Sequence, residues 1–357
     1  MNVNTAIRKT VERLERTSSR RYPVPPTALI SGPKLNFSAG DLDQPFWIAS
    51  IDKVFIAALL GQLFDEGYCT PDTPIGRLLP AEELAPLPAK EGVDNAKDVT
   101  VQHLLSHTSG LPDVVLPPRG YSTTCSIKEL QKHPERVWTI PDFLQQADHL
   151  PPFAKPGERF LYSDTAYLLL IRIIEEARDT GYAEQLASRI FEPSGMADSI
   201  EWVNADDYNL ARLVPKLAPF WLGGSKEDDK VPFAPNLTWW NGMGGASTAN
   251  DLLRFQRELH RGNLCDIKWV RYFGTPRSRF RPGIHYGTGM VSIRFGGFFP
   301  LMRGYPQPTG GLGYTSTHMF YYPQQDTHVI LNYHAHRRMN TSFQMHIRIA
   351  GLINRYG

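Results

Sequence analysis

Hydrophobic residues are most concentrated in segment 46–60, an apolar run that contains many strong helix formers. This pattern predicts a buried helix, and the Asp-Glu-Gly sequence at 65–67 predicts where it ends. Ser50 and Lys53 lie within the run, three residues apart. At this spacing two side chains share one face of a helix. The segment is therefore predicted core and the first candidate for chemistry.

The remaining pattern places helices and strands in different parts of the chain. Residues 5–17 have the amphipathic pattern of a surface helix, and residues 70 to about 235 alternate short helical patterns with proline-rich loops. Strand-like runs occur mainly near the two ends. We predict strands at 27–30, 34–37, 286–295, 314–322 and 327–333, and further helices at 101–105, 165–178, 249–262 and 341–355.

This arrangement predicts the fold class. Strands near both ends, with helices inserted between them, favour one antiparallel sheet that is flanked by helices and built by the two ends of the chain. We therefore predict an α/β (α+β) fold. One α/β subdomain comprises residues 1–68 and 238–357, and a mostly helical subdomain comprises residues 69–237.

Ser50 and Lys53 form a possible nucleophile–base pair. A buried lysine loses part of its proton affinity, so Lys53 is expected to have a lowered pKa and to act as a base. A serine beside such a base can be a nucleophile without histidine. Ser31 and Lys34 have the same spacing, but Gly32 and Pro33 lie between them and exclude a helix.

Tyr162 is the second candidate. It follows a Pro-Gly turn and ends a short extended piece just before a predicted helix, which Ser163 or Asp164 can cap. A phenol near a lysine ammonium can become a phenolate, and so can take or give a proton. The alternative is an ordinary half-buried aromatic residue.

The third candidate is the glycine-rich segment 308–316. Small residues beside a strand let another backbone approach closely, which an oxyanion hole made of N–H groups requires. A glycine-rich turn between strands explains the same residues equally well.

Composition narrows the classes of function. A net charge of +2 gives no reason to expect nucleic acid or an acidic membrane surface as a partner, and the arginines at 277, 279 and 281 are most simply a solvated strand or loop. Three widely spaced cysteines fit neither a metal motif nor a disulfide framework. With a charged N-terminal helix and no apolar run of roughly 18 residues, we expect a cytoplasmic protein without a membrane span.

We expect no metal and no cofactor. His103 and His107 are four residues apart, as in a zinc site, but the glutamate that follows the first histidine in such motifs is absent. His334 and His336 lack a companion carboxylate cluster. The glycines at 242–245 do not have the spacing of a dinucleotide-binding loop.

Taken together, Ser50–Lys53, Tyr162 and the glycine-rich segment resemble the serine β-lactamase and penicillin-binding-protein superfamily, most nearly its class C β-lactamase-like branch of esterases, D-peptidases and transacylases. Segments 101–112 and 241–252 extend the resemblance, which covers about residue 25 to the C-terminus. It implies a β-lactamase-like fold with the cleft between the sheet and the helical part.

The resemblance also implies roles for individual residues. Ser50 would be the acylated nucleophile, Lys53 its proton acceptor, and Tyr162 the proton shuttle to the leaving group. The backbone N–H of Gly311 would join that of Ser50 in the oxyanion hole. The substrate would be contacted by residues of the second and third motifs: Asp164, Thr309 and Gly310.

Two departures from the family pattern bear on the substrate. Asp164 replaces the usual asparagine, and a carboxylate there would hold Lys53 charged more strongly than an amide would. Pro308 replaces the usual lysine or histidine and has neither charge nor an N–H donor. This loss disfavours β-lactamase and DD-peptidase activity, although Arg303 or His318 could supply a charge from nearby.

We therefore predict a serine hydrolase that cleaves a small-molecule carboxylic ester or small amide with an uncharged, fairly apolar part. Aromatic loops at 219–222, 239–240 and 295–302 either rim the cleft, which favours an apolar acyl or aryl group, or simply cover the core. A transacylase or amide-forming enzyme, which passes the same acyl group to an acceptor, is the alternative. A non-catalytic binding protein is the third hypothesis, and the oligomeric state is left open.

Overall fold

The computed structural model describes residues 2–18, 22–132, 138–200, 214–221, 230–231 and 244–357. Its strands are β1 (Thr27–Ser31), β2 (Asn36–Ala39), β3 (Phe46–Trp47), β4 (Phe220–Trp221), β5 (Lys230–Val231), β6 (Ala246–Ser247), β7 (Ser278–Arg281), β8 (Ile284–Tyr286), β9 (Val291–Ile293), β10 (Thr309–Gly313), β11 (Thr317–Tyr322) and β12 (Thr327–Asn332).

An eight-stranded sheet organises these residues. Its order is β2-β1-β12-β11-β10-β9-β8-β7, and every neighbouring pair is antiparallel. The N-terminal strand β1 therefore lies beside the C-terminal strand β12. This confirms the predicted antiparallel sheet built by both ends of the chain. Two short pairs, β3 with β6 and β4 with β5, lie outside it.

Two predicted strands differ from the structure. The run at 286–295 is divided into β8 and β9, because the chain turns at Gly287, whose N–H donates to Met290 O at 2.8 Å. Strand β10 was not predicted, since its Thr-Gly-Gly-Leu-Gly sequence has low strand propensity. Pairing with β11 along its length, and with β9 at its start, nevertheless makes it a strand.

The helices lie on both sides of the sheet and between its strands in sequence. They are α1 (Val3–Glu15), α2 (Asp52–Asp65), α3 (Ala81–Leu84), α4 (Asn95–Asp98), α5 (Val101–Leu105), α6 (Ile127–Lys132), α7 (Ile140–Gln145), α8 (Asp164–Arg178), α9 (Tyr182–Leu186), α10 (Glu192–Ser194), α11 (Ala249–Arg261), α12 (Ile267–Gly274) and α13 (Met339–Tyr356). The sequence pattern did not predict α12.

Alternating side chains of the sheet supply two cores. Ile30 and Val329 face one core with α1 and α13, whereas Leu29 and Ile330 face the other, as the two-residue period of a strand requires. The second core also contains α2, in which every residue except Gln62 and Asp65 is buried. This confirms the buried helix.

Helices of the middle segment pack into the same core as α2, and α8 contacts α2 and α5 directly. The subdomain boundaries at 68/69 and 237/238 stay a prediction. Within the described residues, none of the helices combines the length and the apolar character that crossing a bilayer requires.

Candidate active site

Ser50 lies at the entrance to α2 on a tightly constrained turn. It is the middle residue of a short 3₁₀ turn, Ala49–Ile51, that leads directly into the helix. Ala49 has a left-handed backbone with φ = 48°, which is unusual for a residue with a Cβ. Gly244 passes so close that a Cβ there would lie 2.2 Å from Ala49 O. The turn that contains the half-buried Ser50 is thus packed against a distant segment of the chain.

Tyr162 is brought to Ser50 by the chain before α8. Its hydroxyl donates to Ser50 Oγ at 2.7 Å. The neighbouring backbone is held by His107, whose carbonyl accepts from Leu161 N–H at 2.9 Å and whose Nδ1 accepts from Ser163 N–H at 3.1 Å. The His107 ring also stacks on that of Tyr162, with centroids 4.5 Å apart. His107 therefore helps to position Tyr162, through hydrogen bonds to the residues on either side of it and through the stacked rings.

Lys53 is paired with Asp164 rather than with the serine. Its Nζ lies 2.6 Å from Asp164 Oδ1, and the two side chains are only 5% and 7% exposed. Burial, the largest single influence, lowers the pKa of Lys53, but Asp164 together with Tyr167 and Asp52 raises it more. The expected lowering of this pKa is therefore wrong. The expectation that a carboxylate at 164 holds the lysine charged is confirmed.

Tyr162 remains a neutral phenol. Burial, and then the negative charge of Asp164, raise the pKa of Tyr162 well above its usual value, while the hydrogen bond to Ser50 lowers it only in part. The Lys53 ammonium lies 5.2 Å from the ring centroid, and this is not enough to favour the phenolate. At rest the site therefore contains a neutral serine, a neutral tyrosine and a charged lysine–aspartate pair.

The register of β10 determines which N–H groups face Ser50. Ile293 N–H donates to Pro308 O, and Thr309 lies opposite Ser292, so the N–H of Gly310 points toward β9. Because N–H directions alternate along an antiparallel strand, the N–H of Gly311 points the other way, toward Met319 of β11. Leu312 N–H then points to the edge that β9 leaves unpaired after Gly310.

The first part of β10 is packed away from the cleft. Thr309 touches Gly274 of α12, where an added Cβ would lie 3.1 Å from Thr309 Cγ2. An added Cβ on Gly310 would lie 1.8 Å from Met319 O, and one on Gly311 would lie 3.0 Å from Val54 Cγ2. These glycines permit close backbone approach, as expected. The residues of this segment that line the cleft are Leu312, Gly313 and Tyr314.

Above Ser50 lies a cleft of about 880 Å³, which Tyr162 and Asp164 also line. Its wall is mostly apolar and comes from the β7–β8 hairpin, the 295–302 loop and the start of α13. Phe220, Phe298 and Phe299 belong to the wall, which confirms that two of the aromatic loops reach the cleft. Trp239 and Trp240 lie outside the described residues.

The residues suggested as replacement cations do not line the cleft. His318 is fully buried, and burial, followed by the charge of His346, lowers its pKa well below the usual value, so it is neutral. Arg303 is exposed and is not part of the lining. Among the described residues, the arginine that lines the cleft is Arg281.

Comparison with known proteins identifies the family. The beta-lactamase family model matches residues 30–350. The chain belongs to the beta-lactamase family. Penicillin-binding protein 4* of Bacillus subtilis (strain 168) is 28% identical over 261 residues, which are 69% of this chain and 52% of that protein. The putative penicillin-binding protein PbpX of the same organism is 24% identical, over 71% of this chain and 56% of its own length, so the chain spans about half of these relatives.

Solved structures confirm the β-lactamase-like fold. A D-amino acid amidase from Ochrobactrum anthropi SV3, in complex with D-phenylalanine, has a TM-score of 0.75 at 21% identity, and 99% of this chain and 100% of that one are covered. EstCE1, described as a hydrolase with promiscuous acyltransferase activity, has a TM-score of 0.73 at 16% identity, over 98% and 99% of the two chains. At these identities the likeness establishes the fold alone.

Sequence reasoning missed two residues of this beta-lactamase-family site. Asp113 is buried, and its carboxylate accepts from the N–H groups of Asp164 at 3.2 Å and Val115 at 2.8 Å. Burial, followed by the charge of Asp164, raises the pKa of Asp113 to about 7. Its position directly after segment 101–112 was the available signal. Arg281 was noted only as a solvated arginine, and no local pattern placed it in the cleft.

Proposed function

We propose that this member of the beta-lactamase family hydrolyses a carboxylic ester or small amide through an acyl-enzyme on Ser50. The observation that carries the proposal is the 2.7 Å hydrogen bond between Ser50 and Tyr162 at the floor of a large cleft. A nucleophile needs a partner that takes its proton, and Tyr162 Oη lies close enough to Ser50 to do so once its own proton moves on. The mostly apolar wall favours an acyl or alcohol part with substantial apolar surface.

In the proposed acylation, Ser50 Oγ bonds to the carbonyl carbon while its proton passes to Tyr162 Oη. Tyr162 passes its own proton to Lys53, which gives one to Asp164 across their 2.6 Å contact. This relay uses the Lys53–Asp164 pair as the acceptor, since a lysine that is already charged cannot itself take up another proton. The negative oxygen that forms accepts hydrogen bonds from backbone N–H groups. We assign these to Ser50 and to Leu312, which replaces the expected Gly311 because the N–H of Gly311 points toward β11.

The intermediate then expels its leaving group. The carbon–oxygen or carbon–nitrogen bond breaks, and the proton returns through Tyr162 to the departing atom. Water attacks the acyl-enzyme in the reverse sense and releases the acid and free Ser50. Every proton taken from Ser50 or water is returned, so the cycle needs no co-reactant besides water.

The experiment is intact mass spectrometry after incubation with activated esters of several acyl lengths and with a serine-directed phosphonate. Wild type should gain one adduct, and Ser50→Ala should gain none. Ser31→Ala is the matched control, because Ser31 has the same spacing to its lysine but ends a strand, and this variant should be labelled like wild type. An unlabelled wild type, or equal labelling of Ser50→Ala, would refute the mechanism and favour a binding role.

Acyl transfer is the second candidate. The apolar cleft favours an organic acceptor over water, and the fold neighbour EstCE1 is described as having promiscuous acyltransferase activity. If transfer is the reaction, added amines or alcohols should divert the product from free acid to amide or ester. A product ratio that stays unchanged as the acceptor concentration rises would leave hydrolysis as the function.

A further inference from the structure

The described side chains in and directly behind the cleft carry more positive than negative charge. Among the described residues that line the cleft, Asp164 is the acidic one, and Arg281 is the basic one besides His336. Asp164 is neutralised by Lys53 behind it. His336 also lines the cleft, but burial, the largest influence, lowers its pKa, so it is neutral near pH 7. Arg281 therefore leaves one uncompensated positive charge in a mostly apolar cleft.

The backbone directs Arg281 into this cleft. The pairing of β7 with β8 shifts register between Arg279 and Arg281, and such a bulge changes the direction in which side chains point. As a result the two successive residues Phe280 and Arg281 both line the cleft, although neighbours in a regular strand face opposite sides. Arg279, two residues earlier on the same strand, is exposed and does not line it.

The Arg281 side chain is exposed at the edge of the cleft, and no described carboxylate neutralises it. It lies over the Phe280 ring, 5.2 Å from the centroid. Among the residues that the structure describes, no carboxylate lies within 4.0 Å of it. Burial is the main cause of the lowered pKa of His336, and a hydrogen bond to the Tyr314 backbone raises this pKa in part. The positive charges of Arg337 and then of Arg281 lower it further. Tyr314 and His336 stack with ring centroids 3.9 Å apart and form part of the cleft wall.

We propose that Arg281 is an anion-binding residue of the cleft and that the preferred substrate is an ester or amide bearing a carboxylate apart from the bond that is cleaved. This inference rests on the proposed function and refines it, because an apolar substrate body with one acidic end matches both the wall and the unbalanced charge. A planar guanidinium binds a carboxylate through two parallel hydrogen bonds. Arg279 is exposed as Arg281 is but does not line the cleft, and an arginine in that position would give no such preference.

The test compares matched substrates that differ only in charge. One pair has the charge on the acyl part, the 4-nitrophenyl monoester of glutaric acid and its methyl ester. The other has it on the leaving part, the butyrate esters of 3-carboxy-4-nitrophenol and of 4-nitrophenol. We expect wild type to prefer the acidic member of at least one pair in kcat/KM. Arg281→Gln should lose that preference about tenfold, mainly through KM, and Arg281→Lys should retain part of it.

Arg279→Gln is the control and should keep the wild-type preference. The inference is overturned if wild type prefers neither acidic ester, if the preference survives in Arg281→Gln, or if Arg279→Gln loses as much. These outcomes differ from failure of the proposed function, in which neither neutral ester is hydrolysed and Ser50 is not labelled. Turnover of the neutral esters without any preference for the acidic ones, in wild type and Arg281→Gln alike, would overturn this inference alone.

Discussion

A buried histidine pair between β11 and α13 predicts how the stability of this protein depends on pH. The Ser342 hydroxyl donates to Met339 O at 2.9 Å, so its oxygen must accept from His318 Nε2–H, 2.8 Å away. His318 Nδ1 is then an acceptor for His346 Nδ1–H at 3.0 Å. His346 Nε2 in turn accepts from Tyr322 at 2.9 Å. The network is complete only when both histidines are neutral.

Protonation would place a charge inside this core. Burial lowers the pKa of His346 to about 3, against roughly 6.5 in an unfolded chain. A pKa that is lower in the folded state means that stability is fully present above pH 6.5 and is lost as pH falls below it, because only the unfolded chain takes up the proton. For one such group the loss between pH 7.5 and 5.5 is about 1.4 kcal/mol, and about 2.7 kcal/mol at pH 4.5.

Urea unfolding of wild type and His346→Gln at pH 7.5, 6.5 and 5.5 measures this contribution. The variant should be less stable at every pH, but its free energy of unfolding should fall by about 1.4 kcal/mol less than that of wild type between pH 7.5 and 5.5. Asp52 and Asp113, whose pKa values burial raises to about 7, act in the opposite direction. They are present in both proteins and cancel in the difference.

His149→Gln provides the control. His149 is exposed and lies outside this core, so replacing it should leave the free energy of unfolding at pH 7.5 close to that of wild type. Equal losses of stability for wild type and His346→Gln between pH 7.5 and 5.5 would refute the reasoning. They would mean that His346 carries the same charge in both states.

Two further predictions concern the proton relay and strand β10. Asp164→Asn removes the final proton acceptor, so catalysis should need an uncharged Lys53, and the acidic limb of the pH profile of kcat/KM should move to higher pH. An unmoved limb would exclude Asp164 from the relay. Gly310→Ala should lower the free energy of unfolding by about 3 kcal/mol, because its Cβ would clash with Met319 O. Gly304→Ala, where an added Cβ meets no atom within 4 Å, should be nearly neutral; equal stability of both variants in urea would contradict this packing argument.

Short-range patterns in the sequence were sufficient for the elements and for the main candidates. Most of the apolar run at 46–60 became the buried helix α2, which begins at Asp52, whereas its first residues form β3 and the 3₁₀ turn. The Pro-Gly turn followed by a capping residue became the start of α8, where Ser163 accepts from Ala166 N–H. Such features depend on neighbours within one or two turns. Ser50–Lys53, Tyr162 and the glycine-rich segment, together with segments 101–112 and 241–252, suggested the family, which the family model then matched.

Long-range contacts decided the rest. Burial alone would lower the pKa of Lys53, and the opposite result comes from Asp164, 111 positions away in the chain. Which N–H of β10 faces the unpaired edge depends on pairing with β9, and a shift of one residue reverses every direction along a strand. The direction of the Arg281 side chain likewise depends on how β7 pairs with β8, because the register of that pairing shifts just before Arg281. Charge state, register and side-chain direction are properties of neighbours in space, and a linear pattern does not contain them.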